Sequence, residues 1–410
     1  MREILLIQVS GHDRPGLLAA FMRILARSRV TVLDIGQAVI HDALSLGVLV
    51  EMPVGVDSST VLKDVLFQAH EMGVSVRFRP VEAGSYEEWV AAEGHARYIV
   101  TLLARAVTAE QLAEATEVIA GHGLTVEGIA RLSGRQSVAD NRPASDARAC
   151  IELAVRGEPG HSAEMRRQFL DIAQRLNIDI AFQRDNAWRR NRRLVAFDMD
   201  STLIDGEVID ELARLAGVGE QVAKITEAAM RGELDFQESF RRRVALLKGL
   251  DESAMRKVID TIPLTEGAEN LVATLKTLGY KTAILSGGFT FMGQYLQQRL
   301  GIDYVYANEL ETKDGKVTGN VVGRIVDGQR KAELLKEIAQ KEGISLEQAI
   351  AVGDGANDLP MLSIAGLGIA FRAKPLVREK ARQAISTLGL DGILYLLGVR
   401  DRDRIELGAR

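Results

Sequence analysis

Three times in its C-terminal half the chain drives a short, almost wholly apolar stretch into an abrupt polar stop. That recurrent pattern constrains the fold more than any other feature. Leu194–Phe197 stops at Asp198-Met199-Asp200-Ser201-Thr202-Leu203, Thr282–Leu285 at Ser286-Gly287-Gly288, and Ala349–Val352 at Gly353-Asp354-Gly355-Ala356-Asn357-Asp358. Short apolar runs that alternate with helical patterns read as parallel strands buried on both faces. An open parallel sheet binds its ligands at the carboxyl edge of its strands, which is where these polar stops fall. An isolated Asp-x-Asp is common in surface turns; one that ends a buried strand is far more specific.

The first half has a different texture. Ile4–Val9 reads as a strand, Gly16–Arg27 as a helix, Val30–Ile40 and Ser45–Met52 as strands, Thr60–Met72 as a helix and Val74–Arg79 as a strand. The same order returns with strand Arg97–Ala104, helix Ala109–His122, strands Leu124–Leu132 and Ala149–Val155, helix Ala163–Arg175 and strand Ile178–Gln183. The expectation is therefore two βαββαβ units, with a long loop over Ser133–Asp146 where Ser, Asp, Asn and Pro gather. The expected domains are residues 1–82, 95–184 and 185–410. In the first unit, Gly11-His12-Asp13-Arg14-Pro15-Gly16 joins strand to helix. There Pro15 presets φ, Asp13 is suited to cap the helix, and Gly16 permits close approach by a ligand or chain. Ala104-Arg105-Ala106-Val107-Thr108-Ala109, the equivalent stretch of the second unit, lacks Asp, Pro and Gly.

Composition narrows the classes. The chain has 410 residues, 47% of them hydrophobic and 26% charged, enough for several cores and not biased to disorder. No apolar run approaches the roughly 20 residues that span a bilayer, and the opening residues lack the features of a signal peptide, so a cytoplasmic protein without membrane contact is expected. A formal charge of −5 offers no long-range attraction to nucleic acid. The basic run Arg184, Arg189, Arg190, Arg192 and Arg193, with Trp188 among them, is read as a solvated linker between domains. Cys150, the one cysteine, excludes an intrachain disulfide and reads as core, and the six histidines show no ligand spacing.

The polar stops suit phosphoryl transfer. Strand-terminal glycines present N–H groups to phosphate oxygens, and Lys331 lies early in an amphipathic helix of about four turns. Individually each has an ordinary reading: a strand-to-helix turn, a solvated lysine, an Asn357 that caps a helix. Together, Asp-x-Asp-Ser-Thr, Ser-Gly-Gly, Lys and Gly-Asp-Gly-x-Asn-Asp resemble the haloacid dehalogenase superfamily of aspartate-nucleophile phosphatases. The paired βαββαβ units resemble the ACT family of small-molecule regulatory modules. The resemblances imply an α/β fold: two ferredoxin-like ACT-type domains, then a doubly wound parallel-sheet domain with a helical cap at about 205–264. They also imply Asp198 as nucleophile, Asp200 as general acid and base, and Mg²⁺ held by Asp198, Asp354 and the Asp200 carbonyl with Asp358 orienting the shell. Lys331 then adds positive charge beside Asp198, and Ser286, Gly287, Gly288 and Asn357 contact substrate.

Between Leu203 and Leu264 four helical patterns follow one another: Val208–Ala216, Glu220–Arg231, Phe236–Leu247 and Glu252–Thr261. A cap closing there excludes water and reads the leaving group. Glu207 and Arg243, an acid and a base aimed at one ligand, suit a zwitterionic amino acid; the ordinary readings are a first-turn dipole partner and a solvated face. With Met230 and Phe236 they stand at the spacing of the serine pocket in phosphoserine phosphatases. The resemblance thus implies hydrolysis of O-phospho-L-serine, L-serine as product and feedback effector near Gly11, Asp13, Pro15 and Gly16, and a homodimer through the ACT-like modules. The competing readings are a phosphatase or phosphotransferase of the same superfamily for another small phosphomonoester, and an amino-acid-sensing protein with a vestigial catalytic half.

Overall fold

The computed structural model describes residues 3–137, 139 and 147–408; most of the expected Ser133–Asp146 loop lies outside them. The chain divides into two compact units, Met1–His95 and Ala96–Arg410.

In the first unit, β1 (Glu3–His12), α1 (Leu17–Arg27), β2 (Thr31–Ile40), β3 (Ala43–Met52), α2 (Ser58–Glu71) and β4 (Ser75–Val81) form an antiparallel sheet in the order β2-β3-β1-β4. Alternation on β1 buries Leu5, Ile7 and Val9 against Leu17, Phe21, Ile24 and Leu25 of α1, whose spacing is helical. The turn before α1 differs from expectation in one respect. Its N-cap is Gly16, at φ 86°, and no side chain caps the helix, so Asp13 does not. Its own backbone N–H is instead spent on the carbonyl of Asp42, 2.8 Å away. A left-handed residue at this point favours glycine. A further helix, α3 (Ala83–Ala91), was not expected; it buries no residue and so carries no periodic apolar face in its sequence.

The second unit repeats the order with β5 (Arg97–Ala104), α4 (Ala109–Gly121), β6 (Thr125–Arg131), β7 (Ala149–Arg156), α5 (Ser162–Leu176) and β8 (Asp179–Arg184), as the sheet β6-β7-β5-β8. It continues through β9 (Leu194–Phe197) into four helices, α6 (Val208–Ala216), α7 (Gly219–Met230), α8 (Phe236–Ala245) and α9 (Ser253–Thr261). Then come α10 (Ala268–Thr277), β10 (Lys281–Phe289), α11 (Thr290–Leu300), the hairpin β11 (Tyr304–Lys313) and β12 (Lys316–Val322), α12 (Gly328–Lys341), β13 (Ala349–Gly353), α13 (Leu359–Ile364), β14 (Leu367–Phe371), α14 (Pro375–Lys380) and β15 (Gln383–Ile385). The seven-stranded sheet runs β12-β11-β10-β9-β13-β14-β15, parallel except at its β12 edge. Central β9 therefore has β10 on one side and β13 on the other, which brings the three polar stops to one edge.

The four-stranded sheet of this unit is not tethered by a solvated linker. Leu103, Leu132, Cys150 and Ala181 belong to the same buried cluster as Val195, Phe197 and Tyr395. Arg189 and Arg192 are themselves buried, and Arg189 pairs with Glu152 at 2.5 Å, which corrects the solvated reading for these two, while Arg184, Arg190 and Arg193 are exposed as expected. Burial raises the pKa of the Cys150 thiol well above its ordinary range, in keeping with a core residue. Among the described residues no helix is long and apolar enough to cross a membrane.

Candidate active site

β9 is buried along its whole length and delivers Asp198 to the sheet edge, only 5% exposed. Its Oδ1 accepts the N–H of Met199 at 2.7 Å, and its Oδ2 meets the Lys331 ammonium at 2.8 Å. Lys331 lies one turn into α12, whose start is capped by Asp327. It is wholly buried and also pairs with Asp358 at 2.7 Å. Two carboxylates hold the ammonium in its charged form and raise its pKa against the opposing effect of burial. Asp358 is fixed in turn by the N–H of Gly355 at 2.9 Å, and Gly353 is obligatory there, since a Cβ would lie 2.4 Å from the Asp358 carboxyl carbon.

Asp200 occupies a different setting. One oxygen accepts the N–H of Val208, at the start of α6, at 3.1 Å; the other lies where a Cβ on Gly288 would come within 2.2 Å. Burial, then the charges of Glu207 and Asp198, raise its pKa well above the carboxylate range. Neighbouring Ser201 is left-handed, at φ 54°, and its hydroxyl donates to Glu207 at 2.8 Å. Among the described residues Asp354 receives only the Thr202 hydroxyl, at 3.1 Å, and burial with the nearby charges of Asp198 and Asp358 pushes its pKa up to about 8.

The cap supplies the opposite wall of a cavity of about 130 Å³, in which Glu207, Phe236 and Arg243 face Asp198, Asp200, Ser286, Gly287, Gly288, Asp354 and Asn357. Of the three consecutive arginines on α8, Arg242 pairs outward with Glu238 at 2.7 Å, while Arg243 turns inward. Its Nε is buried with no partner among the described residues, and burial lowers its pKa. Phe236 stacks on Phe240 and stands over Gly287, where a Cβ would come within 2.9 Å of its ring. Asn357 lines the cavity, and neither it nor any other side chain caps α13. The Met230 side chain lies outside the described part. A larger cleft of about 470 Å³ between α5–β8 and α14–β15 contains none of these groups; chemistry, not size, distinguishes the site.

The sequence reading missed Asn308, on β11. It is 1% exposed; its amide nitrogen donates to the Gly287 carbonyl and its oxygen accepts the Val326 N–H, both at 2.8 Å. It therefore fixes the Ser286-Gly287-Gly288 backbone. The available signal was an amide among the Tyr, Val and Ala of a strand.

Five carboxyl groups (Asp198, Asp200, Glu207, Asp354 and Asp358) thus share a buried site with two cations, Lys331 and Arg243. Asp198, Asp354 and Asp358 bring oxygens within 4.8 Å of one another. An all-oxygen donor set with surplus negative charge fits a hard divalent cation.

The comparisons with known proteins agree with this geometry. Residues 192–366 match the haloacid dehalogenase-like hydrolase model and residues 3–79 the ACT domain model, so the class is a hydrolase of that superfamily joined to an ACT domain. Over 404 residues the chain is 41% identical to the phosphoserine phosphatase of Streptomyces coelicolor, covering 98% of this chain and 93% of that one. It is 40% identical to that of Mycobacterium tuberculosis over 395 residues, covering 96% and 93%. The crystal structure of a probable phosphoserine phosphatase from Vibrio cholerae, unliganded, superposes with a TM-score of 0.57 at 35% identity, covering 77% of this chain and 90% of that one. The chain belongs to the phosphoserine phosphatase family.

Proposed function

We propose that the chain hydrolyses O-phospho-L-serine to L-serine and phosphate, the last step of serine synthesis, with Asp198 as nucleophile. The observation that carries this reading is the pairing of two unlike aspartates at one strand end. Asp198 is held against a buried ammonium, while Asp200, two residues on, has a raised pKa and one oxygen with no hydrogen-bond partner among the described residues. An Asp198 oxygen attacks phosphorus as the bond to the serine oxygen breaks, and Asp200 donates its proton to that leaving oxygen. A water, losing a proton to the Asp200 carboxylate, then attacks phosphorus and frees phosphate and Asp198.

Ser286, the glycine N–H groups and Asn357 suit the phosphoryl oxygens, and Lys331 offsets charge beside Asp198. Glu207 suits the substrate ammonium and Arg243 its carboxylate, beside the Phe236 ring; Met230 is assigned to the same pocket from its place in the sequence. Mg²⁺ is the cation we assign to Asp198, Asp354 and the Asp200 carbonyl, with Asp358 orienting them; when bound it offsets repulsion between the phosphate and Asp198. We further assign residues 1–82 and 95–184 as ACT-type domains and 185–410, capped at 205–264, as the catalytic domain. The protein is then a cytoplasmic homodimer, with L-serine as effector at the Gly11, Asp13, Pro15 and Gly16 turn.

The test is Mg²⁺-dependent phosphate release from O-phospho-L-serine beside phosphothreonine, phosphotyrosine, sugar phosphates and an aryl phosphate. Preference for phosphoserine, abolished by chelation, supports the whole reading. Activity spread evenly over the panel overturns the Glu207 and Arg243 assignment, and inactivity on all overturns the enzyme.

A further inference from the structure

The cap joins the catalytic domain through two connections that run side by side. Ile204 and Leu264 form an antiparallel bridge, the Asp205 N–H donates to the Pro263 carbonyl at 2.9 Å, and the Thr265 N–H donates to the Leu203 carbonyl at 3.0 Å. A two-stranded ribbon of this kind can bend, but a hinge works about a defined axis only if its ends are fixed. The outgoing end is fixed by the catalytic loop, where the Ser201 N–H donates to the Gly206 carbonyl at 3.1 Å.

The return end is fixed from elsewhere. Glu266, the residue after the ribbon, receives Arg105 on both carboxylate oxygens at 2.9 and 3.0 Å and Arg372 at 2.7 Å. Its carbonyl accepts the Leu390 N–H at 2.7 Å, an approach that only Gly389 allows, since a Cβ there would lie 2.6 Å from that oxygen. One residue further, Gly267 packs on fully buried Asp391, which is held by Arg148, by Arg404 at 2.9 Å and by Asn270 at 3.3 Å. Arg105 and Arg148 both come from the second four-stranded domain, Arg105 from the β5–α4 turn and Arg148 from just before β7.

We propose that the second four-stranded domain anchors the return hinge of the cap, and that Arg105 and Arg148 are positioning residues which set, through Glu266 and Asp391, how readily the cap closes over the catalytic carboxylates. The inference rests on the phosphatase reading for its kinetic consequence and on the hinge geometry alone for its mechanical one. Arg105 and Glu266 are partly exposed, so their pair contributes little to global stability; its effect falls on the hinge.

The test uses the full chain with Arg105→Ala, Glu266→Gln and both together. Each single change is expected to raise KM for phosphoserine about threefold, with kcat on a small aryl phosphate and the thermal midpoint unchanged. The double variant should be no worse than Glu266→Gln alone, because the two residues act through one contact, and Arg105→Lys should recover part of the loss. Hydrogen exchange at the Asp205 and Thr265 amides should quicken in Arg105→Ala whatever the substrate. An active enzyme whose KM and hinge exchange are unmoved, or additive effects in the double variant, overturns the hinge inference alone. A wild-type chain inactive on phosphoserine overturns the phosphatase reading, and the exchange measurement then decides the hinge by itself.

Discussion

The two βαββαβ domains share element order and sheet order, yet the chain puts them to opposite uses. Each has its own core; the first belongs to a separate compact unit, whereas the second also lends Leu103, Leu132, Cys150 and Ala181 to a cluster that continues into the catalytic domain. The difference is already written at equivalent positions. β4 of the first domain begins with exposed Ser75, whereas β8 of the second begins with buried Asp179, which pairs in register with Leu103. Asp179 accepts the N–H groups of Ser386 and Thr387 at 2.8 Å and the Thr387 hydroxyl at 2.7 Å. Where the first domain has Gly16 and the expected effector turn, the second has Arg105 and the hinge of the cap. One architecture can thus form a compact unit by itself or share a core with a neighbouring domain, and a few polar residues at its margin mark the difference.

The sharpest way to break the comparison is deletion. A chain beginning at Ala96 is expected to fold and to keep phosphoserine hydrolysis within about twofold of the intact protein. A chain beginning at Leu194 should be insoluble or inactive, because it strips apolar partners from one core and leaves Asp391 without Arg148. Equal survival of the two truncations, measured by soluble yield and phosphate release, would refute the contrast. Point changes sharpen it. Asp179→Ala leaves the Ser386 and Thr387 N–H groups without an acceptor and should lower stability by about 2–3 kcal/mol in urea unfolding. Ser75→Ala, at the matching place in the first domain, should change it by less than about 0.5 kcal/mol.

The gathering of the three polar stops at one sheet edge was legible because each polar group is adjacent in sequence to the strand that delivers it, so an apolar run followed by Asp, Ser-Gly-Gly or Gly-Asp names its position. Element order in the βαββαβ domains was legible for the same local reason, the switch between twofold and helical periodicity. What the sequence hid is long-range. Arg105 and Glu266 lie 161 positions apart, and neither has a local pattern that points to the other. Asn308 looks like a strand residue until its two hydrogen bonds are seen. Arg243 stood apart from Arg241 and Arg242 only through the spacing that the resemblance supplied; its inward face on α8 is a property of the structure. The arginine run after β8 resembled solvated linker because local charge says nothing of Glu152, 37 positions away from Arg189.

Acidity separates the two units as well. In the catalytic one, burial raises Asp354 to about 8 and Asp358 to about 7, and Asp200 is raised further by Glu207 and Asp198. A carboxyl whose folded pKa lies above its unfolded one stabilises the fold fully below the unfolded pKa of about 4, and that contribution is lost as pH rises through the folded pKa. The metal-free catalytic unit should therefore lose thermal stability between about pH 5 and 8, and Mg²⁺ should restore most of it by binding the ionised carboxylates. In the first unit the shifted acids go the other way: the His41 hydrogen bond lowers Asp42 and the Ser59 hydroxyl lowers Asp57, both at the surface. Its unfolding should hold steady over the same window. The lone tryptophans Trp89 and Trp188 fall one in each unit, so their fluorescence in single-tryptophan variants reports each transition separately. Parallel pH profiles, or no response of the Trp188 transition to Mg²⁺, would remove the metal assignment.

The smallest effect concerns the turn whose Asp, Pro and Gly the second domain lacks. Gly16 sits at φ 86° with open space around its missing Cβ, so Gly16→Ala is resisted by backbone strain alone, about 1 kcal/mol. Neither Gly16 nor Asp13 belongs to the group of residues that line the candidate active site. Both Gly16→Ala and Asp13→Ala should leave uninhibited turnover unchanged while shifting the L-serine concentration for half-inhibition upward, because regulation needs serine to favour one state of the enzyme over another. Arg105→Ala should show the converse pattern, an altered KM with the serine response intact. If Asp13→Ala and Gly16→Ala leave serine inhibition where it was, the effector does not sit at this turn, and the division of labour between the two domains has to be drawn from the hinge alone.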